Sequence, residues 1–163
     1  MGTGKSSVGR IVAEQLHFTF VDTDEWIEKE AGQTIAQIFE RNGEAAFREH
    51  ERRAVAELRN LKRAVISTGG GLGANAENLA SLKQHALVVC LWASPRIIWK
   101  RVQTQTHRPL LQGDDPKTKI HELLAAREPF YRRADFLVNT EVRSVKEVAQ
   151  HVMHEFQLAI RQR

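Results

Sequence analysis

Helices alternating with short apolar strands along the whole chain predict an α/β fold, a parallel sheet doubly wound with helices on both faces. Three observations carry that prediction. The opening stretch Gly2-Thr3-Gly4-Lys5-Ser6-Ser7 runs straight into a helical pattern, with Val8, Ile11, Val12 and Leu16 apolar at helical spacing. Candidate strands end on carboxylates or glycines, at Asp22-Thr23-Asp24 and Gly69-Gly70-Gly71. The run Leu87-Val88-Val89-Cys90-Leu91-Trp92 is continuously apolar, as in a strand buried on both faces.

Composition sets the outer bounds. A chain of 163 residues, 42% hydrophobic and 27% charged, is expected to form one soluble domain, 1–163, with a substantial core. The apolar run from Ala86 to Ala93 is too short to span a bilayer, and nothing resembles a signal peptide. Cys90, the single cysteine, excludes an intramolecular disulfide and reads as a buried structural thiol, in agreement with a cytoplasmic home. The net charge of +4 permits nucleic-acid binding, but the arginines are scattered and aromatics few. Anionic small molecules explain that balance equally well. No nucleic-acid or membrane partner is expected.

The elements follow in order. A first helix is predicted over 5–15 and a strand over 18–21, then a helix over 25–31. Thr34 is placed to cap a helix over 35–41, which Gly43 breaks before a longer helix over 44–60 with Ala46, Val55 and Leu58 inward. A strand over 64–68 precedes the three glycines, and a helix is predicted over 75–84. The apolar strand 87–92 leads to Ser94-Pro95, an N-cap followed by proline at the first helical position. The helix it opens turns Ile97, Ile98 and Val102 inward and Lys100 and Arg101 outward. The polar stretch 103–117 has turn residues and no sustained period, the character of a lid. A helix over 118–131, a strand over 136–138, and an amphipathic helix from Val145 to about Ile160 capped by Ser144 complete the chain. In that last helix Val145, Val148, Ala149, Val152, Met153 and Phe156 read inward.

The opening stretch has the chemistry of a phosphate-binding loop. Glycines at Gly2 and Gly4 let backbone N–H groups turn onto an anion, while the following helix directs its positive end at the same charge. Lys5 would reach the β- and γ-phosphates, and the Ser6 hydroxyl would complete the shell of a bridging Mg²⁺. The full pattern GxxxxGK[ST] calls for another glycine three residues before Gly2 and a buried strand before that. Four strands are countable where five are natural, so the neighbours of a central strand are expected to carry unpaired edges.

Other candidates have two open readings. Asp22 and Asp24 project on one side of an extended chain at a strand end, one near a Mg²⁺ and the other near a substrate hydroxyl. Alternatively Asp24 is only the N-cap of the next helix and Asp22 a solvated turn residue. Arg48 and Glu51 share a helix face and form a surface ion pair, unless Arg48 binds a ligand. Gly69-Gly70-Gly71 is a site of close ligand approach or a flexible turn. Arg108 on the lid is placed to close over a transferring phosphate.

Taken together, the segments MGTGKSSVGR, FVDTD, GEAAFREHE, STGGG, RPLL, AAREPFYRRA and VNT resemble shikimate kinase, in this order over essentially the whole chain. The resemblance implies a P-loop kinase-type three-layer sandwich with a helical substrate-binding region near 25–63 and a lid near 103–117. It implies phosphorylation of shikimate by ATP with Mg²⁺, by a monomer. Gly2, Thr3, Gly4, Lys5, Ser6 and Ser7 match the nucleotide-binding loop, Ser6 and Asp22 the metal positions, and Asp24 the residue that contacts the shikimate hydroxyls and accepts the attacking proton. Arg48 and Arg127 match the arginines that clamp the substrate carboxylate, and Gly70 and Gly71 the glycines that contact substrate through their backbone. Arg108 matches the lid arginine, and Arg101 and Arg143 fall near the adenine-side arginines. Lys5, Asp24 and Arg108 are thus the expected catalytic set. Two other functions compete: a kinase of another small polyol acid such as gluconate, and a nucleotide-binding protein whose incomplete loop has lost catalysis.

Overall fold

A computed structural model describes residues 2–103 and 115–161. Its elements are α1 (Lys5–Leu16), β1 (Thr19–Asp22), α2 (Thr23–Ala31), α3 (Ile35–Leu58), β2 (Ala64–Ser67), a 3₁₀ turn (Leu72–Ala74), α4 (Ala76–Lys83), β3 (Val89–Trp92), α5 (Pro95–Val102), α6 (Pro116–Tyr131), β4 (Phe136–Asn139) and α7 (Val145–Arg161). The expected α/β alternation and all four expected strands are present.

The strands are parallel but do not form one ladder. β1 pairs with β2 from Thr19 opposite Ala64 to Asp22 opposite Ser67. β3 pairs with β4 from Val89 opposite Phe136 to Trp92 opposite Asn139. No ladder joins the two pairs among the described residues, and a small cavity lined by Thr3, Gly69, Gly70, Tyr131 and all of β3 lies between them. Two-stranded sheets are weak by themselves. Here α1 and α7 span both: Val8, Val12, Val138, Val148 and Ala149 form one core, against which Val65 of β2 and Val89 and Leu91 of β3 pack. Each fully buried valine stabilises by about 1.5–3 kcal/mol, so this shared face holds the two halves together.

Several boundaries shift for local reasons. α2 begins at Thr23, because the Asp22 carboxylate, not that of Asp24, is the N-cap and accepts from the Asp24 N–H at 3.0 Å. β3 begins at Val89, because the N–H of Val88 donates to the Asp135 carboxylate at 2.8 Å and its carbonyl accepts from the Asp135 N–H. α6 begins at Pro116, since Asp115 caps it by accepting from the N–H groups of Lys117 and Thr118. Positions 116–117 therefore belong to the helix and not to the expected lid; 104–114, with Arg108, lie outside the described residues.

Thr34 caps α3 as expected, in a reciprocal box with Gln37. Gly43 kinks that helix at φ 78°, ψ 177°, where a break was expected. The resulting helical region closes on its own core of Ile27, Ile38, Phe47 and Ala54. Two helical assignments change: Arg101 is not an outward residue of α5, since its guanidinium donates to Thr140, and Val145 is 41% exposed because it opens α7 at a cavity mouth. Cys90 is half-buried, and burial, opposed by the charge of Lys5, pushes its thiol up.

Candidate active site

The parallel registers bring the C-terminal ends of the strands to one side, where a cavity of about 970 Å³ opens. That volume suits two small anionic ligands side by side. Its wall takes in the loop Gly2 to Ser7, Asp22 and Asp24, Arg48 and Glu51, Ser67 to Gly71, and Arg101, Arg127 and Arg143. Every expected site residue within the described residues therefore faces one cavity.

At one end the loop folds onto the start of α1. Gly2 sits at φ +65°, and a Cβ there would press into Val102 and Ile98 of α5, so only glycine lets the loop lie this close. Arg101 clamps the same place, donating to the Thr140 hydroxyl at 2.9 Å, the Thr140 carbonyl at 2.6 Å and the Gly2 carbonyl at 3.4 Å. Its described bonds thus position the loop. Arg143 lies in the cavity wall with Nη1 donating to the Asn139 carbonyl at 2.8 Å.

Beside the loop, the Ser6 hydroxyl donates to Asp22 Oδ2 at 2.7 Å and lies 3.2 Å from the Ser67 hydroxyl. This donor set fits a magnesium ion. Mg²⁺ takes hard oxygen ligands, usually one or two from protein with waters and phosphate oxygens completing the octahedron.

The opposite end is built from α3, the glycine turn and α6. Arg48 Nη1 donates to Glu51 Oε2 at 2.7 Å, while its Nε and Nη2 reach Glu44 Oε1 at 3.2 and 2.6 Å. The guanidinium lies against Gly71, whose missing side chain makes the room: a Cβ there would overlap Nη1. Glu51 is the unforeseen member. Its side chain is 2% exposed, and Oε1 has no hydrogen-bond partner among the described residues. Burial raises its pKa, Arg48 pulls it back, Asp24 raises it further and Arg127 opposes. Arg48 behaves oppositely: partial burial lowers its pKa, but the bonds and charges of Glu51 and Glu44 outweigh this and leave it raised. The pairing favours the arginine and costs the carboxylate because the carboxylate is the more fully buried of the two and has one partner where the arginine has two. The i to i+3 spacing signalled contact between the two, not burial of one.

Tyr131 was missed as well. Its phenol donates to the Gly70 carbonyl at 2.9 Å; burial raises its pKa, and the charge of Arg127, one turn earlier on α6, opposes this. Nearby, the Gly69 N–H donates to the Thr23 hydroxyl at 2.9 Å, tying the turn to the start of α2 beside Asp24.

Comparison with known proteins decides the family. The model of the family described as shikimate kinase matches residues 1–157. This chain belongs to the shikimate kinase family. It is 44% identical over 156 residues to the shikimate kinase of Caldanaerobacter subterraneus subsp. tengcongensis, covering 96% of this chain and 91% of that one. It is 45% identical over 157 residues to that of Thermodesulfovibrio yellowstonii, with the same coverage. In three dimensions it resembles shikimate kinase from Acinetobacter baumannii in complex with shikimate, at a TM-score of 0.93 and 38% identity over 98% of this chain and 89% of that one. A gluconokinase from Sinorhizobium meliloti, 17% identical with a TM-score of 0.60, shares the fold alone.

Proposed function

We infer that this chain transfers the γ-phosphoryl group of ATP to a hydroxyl of shikimate, producing shikimate 3-phosphate and ADP. The observation that carries this reading is the polarity of the cavity. A phosphate-binding loop with a hydroxyl–carboxylate pair stands at one end, and two arginines with a glycine turn stand at the other.

Arg48 and Arg127, from different helices, would grip the substrate carboxylate and fix the direction in which the ring presents its hydroxyls. Gly70 and Gly71 would line the ring through backbone groups. Asp24 would orient the attacking hydroxyl and accept its proton as the new O–P bond forms and the bond from the γ-phosphorus to the bridging oxygen breaks. Lys5 and the N–H groups of the loop would stabilise charge on the β- and γ-phosphates, the main requirement of phosphoryl transfer. Ser6 and Asp22 would hold Mg²⁺, which when bound neutralises phosphate charge. Arg101 and Arg143 would flank the adenosine side, and Arg108, by sequence, would reach the phosphates. The chain would act as a cytoplasmic monomer; no helix among the described residues is long and apolar enough to cross a membrane.

A coupled ADP-release assay tests the reading. Turnover with Mg-ATP should require shikimate and should not respond to gluconate. Equal turnover with gluconate, or nucleotide binding without turnover in the presence of shikimate, would overturn it.

A further inference from the structure

We propose that Tyr131 is a positioning residue that locks the Gly69-Gly70-Gly71 turn to α6, the helix that carries Arg127, so that the two substrate-facing elements hold one shared geometry. The proposal rests on the shikimate kinase reading above.

The two elements come from different parts of the chain. The turn follows β2, and Arg127 lies on α6, with the two paired sheets having no common ladder among the described residues. Gly70 lies on the border of the large cavity and the small one between the sheets; Tyr131 lines only the small one, and Arg127 and Gly71 only the large one. Tyr131 therefore grips both elements from behind, out of reach of a ligand in the large cavity. Its phenol donates to the Gly70 carbonyl at 2.9 Å, one helical turn along α6 from Arg127. One hydroxyl thus acts as a relay from α6, which carries Arg127, to the Gly70 carbonyl.

The orientation of the bond gives it consequence. No peptide in the described chain is cis, and in a trans peptide the carbonyl and the following N–H point opposite ways. Holding the Gly70 carbonyl toward Tyr131 turns the Gly71 N–H the opposite way and so fixes the peptide that leads into Gly71, the glycine against which the Arg48 guanidinium packs. The Gly69 N–H is held by the Thr23 hydroxyl and the Gly71 carbonyl by the Ala74 N–H, and the Tyr131 bond fixes the peptide between them. Burial raises the pKa of the phenol against the opposing effect of Arg127, so it remains a donor throughout the neutral range.

The test is Tyr131→Phe, which keeps the ring and removes the relay. Losing one neutral hydrogen bond from the positioning of the site should raise KM for shikimate about fivefold, with KM for ATP and kcat within twofold. Arg132→Ala, an exposed change one residue along that breaks only the pair with Glu128, should leave all three constants unchanged. A lowered melting temperature with unaltered KM would make Tyr131 merely structural and overturn the proposal, as would equal rises in both KM values.

Should Tyr131→Phe be recovered unfolded, 3,5-difluorotyrosine at position 131 supplies an isosteric, more acidic phenol. KM for shikimate should then rise with pH as that phenol ionises and stops donating, over a range where the wild type is flat. Parallel profiles overturn the relay. A wild-type chain that neither binds shikimate by calorimetry nor turns it over would overturn the enzymatic reading, and the relay with it.

Discussion

Replacing Gly71 by alanine adds one methyl group at the point where the substrate arginine is seated. The backbone at Gly71 is right-handed helical, φ −80° and ψ −34°, so alanine is unstrained there and the fold has no reason to object. The new Cβ would overlap Arg48 Nη1, the nitrogen that also donates to Glu51. The guanidinium is the far end of a flexible side chain and will yield, but it is moored on both flanks by Glu44 and Glu51, so it must leave its fork geometry when it moves. Losing one charge-assisted bond to the substrate carboxylate costs about 1.5–3 kcal/mol, which is roughly 10- to 100-fold in KM for shikimate. KM for ATP should hold within twofold, because the loop lies at the opposite end of the cavity. Steady-state kinetics with each substrate varied in turn reads both numbers, and urea denaturation checks the fold. A Gly71→Ala enzyme with wild-type KM for shikimate would refute the placement of Arg48 as the substrate clamp.

Two further perturbations probe the other parts of the site. Ser6→Ala removes the hydroxyl bonded to Asp22 and should raise the magnesium concentration for half-maximal rate and lower kcat about 100-fold; an unchanged magnesium titration would exclude Ser6 from the metal shell. Glu51→Gln tests the sign of a buried charge. The native fold raises the pKa of this carboxyl, so the folded chain binds more protons than the unfolded one, and the contribution of Glu51 to stability falls as pH rises from the ordinary carboxylate range through the raised value. Glutamine has no such dependence, so the urea midpoint of Glu51→Gln should gain on the wild type as pH is raised from about 4 to 8. A difference that runs the other way would mean that Arg48 more than compensates for burial.

The elements were legible because local chemistry dictates them. The Thr34 cap, Ser94 with Pro95 and the helical spacing of Val8, Val12 and Leu16 act within a few residues, and each appeared where it was expected. Errors fell where one residue chose between two partners of equal chemistry. Asp22 and Asp24 could both cap α2, and the extended end of β1 settled the matter for Asp22. Asp115 took the start of α6 from the expected lid, and Asp135 took Val88, the second residue of the expected strand 87–92. Arg101 read as a solvated partner of Lys100, but the partner it found, Thr140, lies 39 positions away and gives no sign in the helical pattern.

The sequence by itself determined the family, the order of elements and the loop, carboxylate, glycine and arginine residues named for the cavity wall, because phosphate-binding loops, strand-end carboxylates and glycine turns are short patterns whose chemistry follows from residue type and spacing. Only the tertiary structure decided which side chains lost their water and what they met when they did. Glu51 and Arg48 look alike in sequence, two charges three positions apart, yet one is buried with an oxygen unpartnered among the described residues and the other keeps a third of its surface exposed. Tyr131 looks like an ordinary helical aromatic until α6 packs beside the glycine turn and its hydroxyl finds a carbonyl 61 positions earlier. Burial and long-range pairing are properties of how elements pack, and packing sums many weak contacts that no local pattern records.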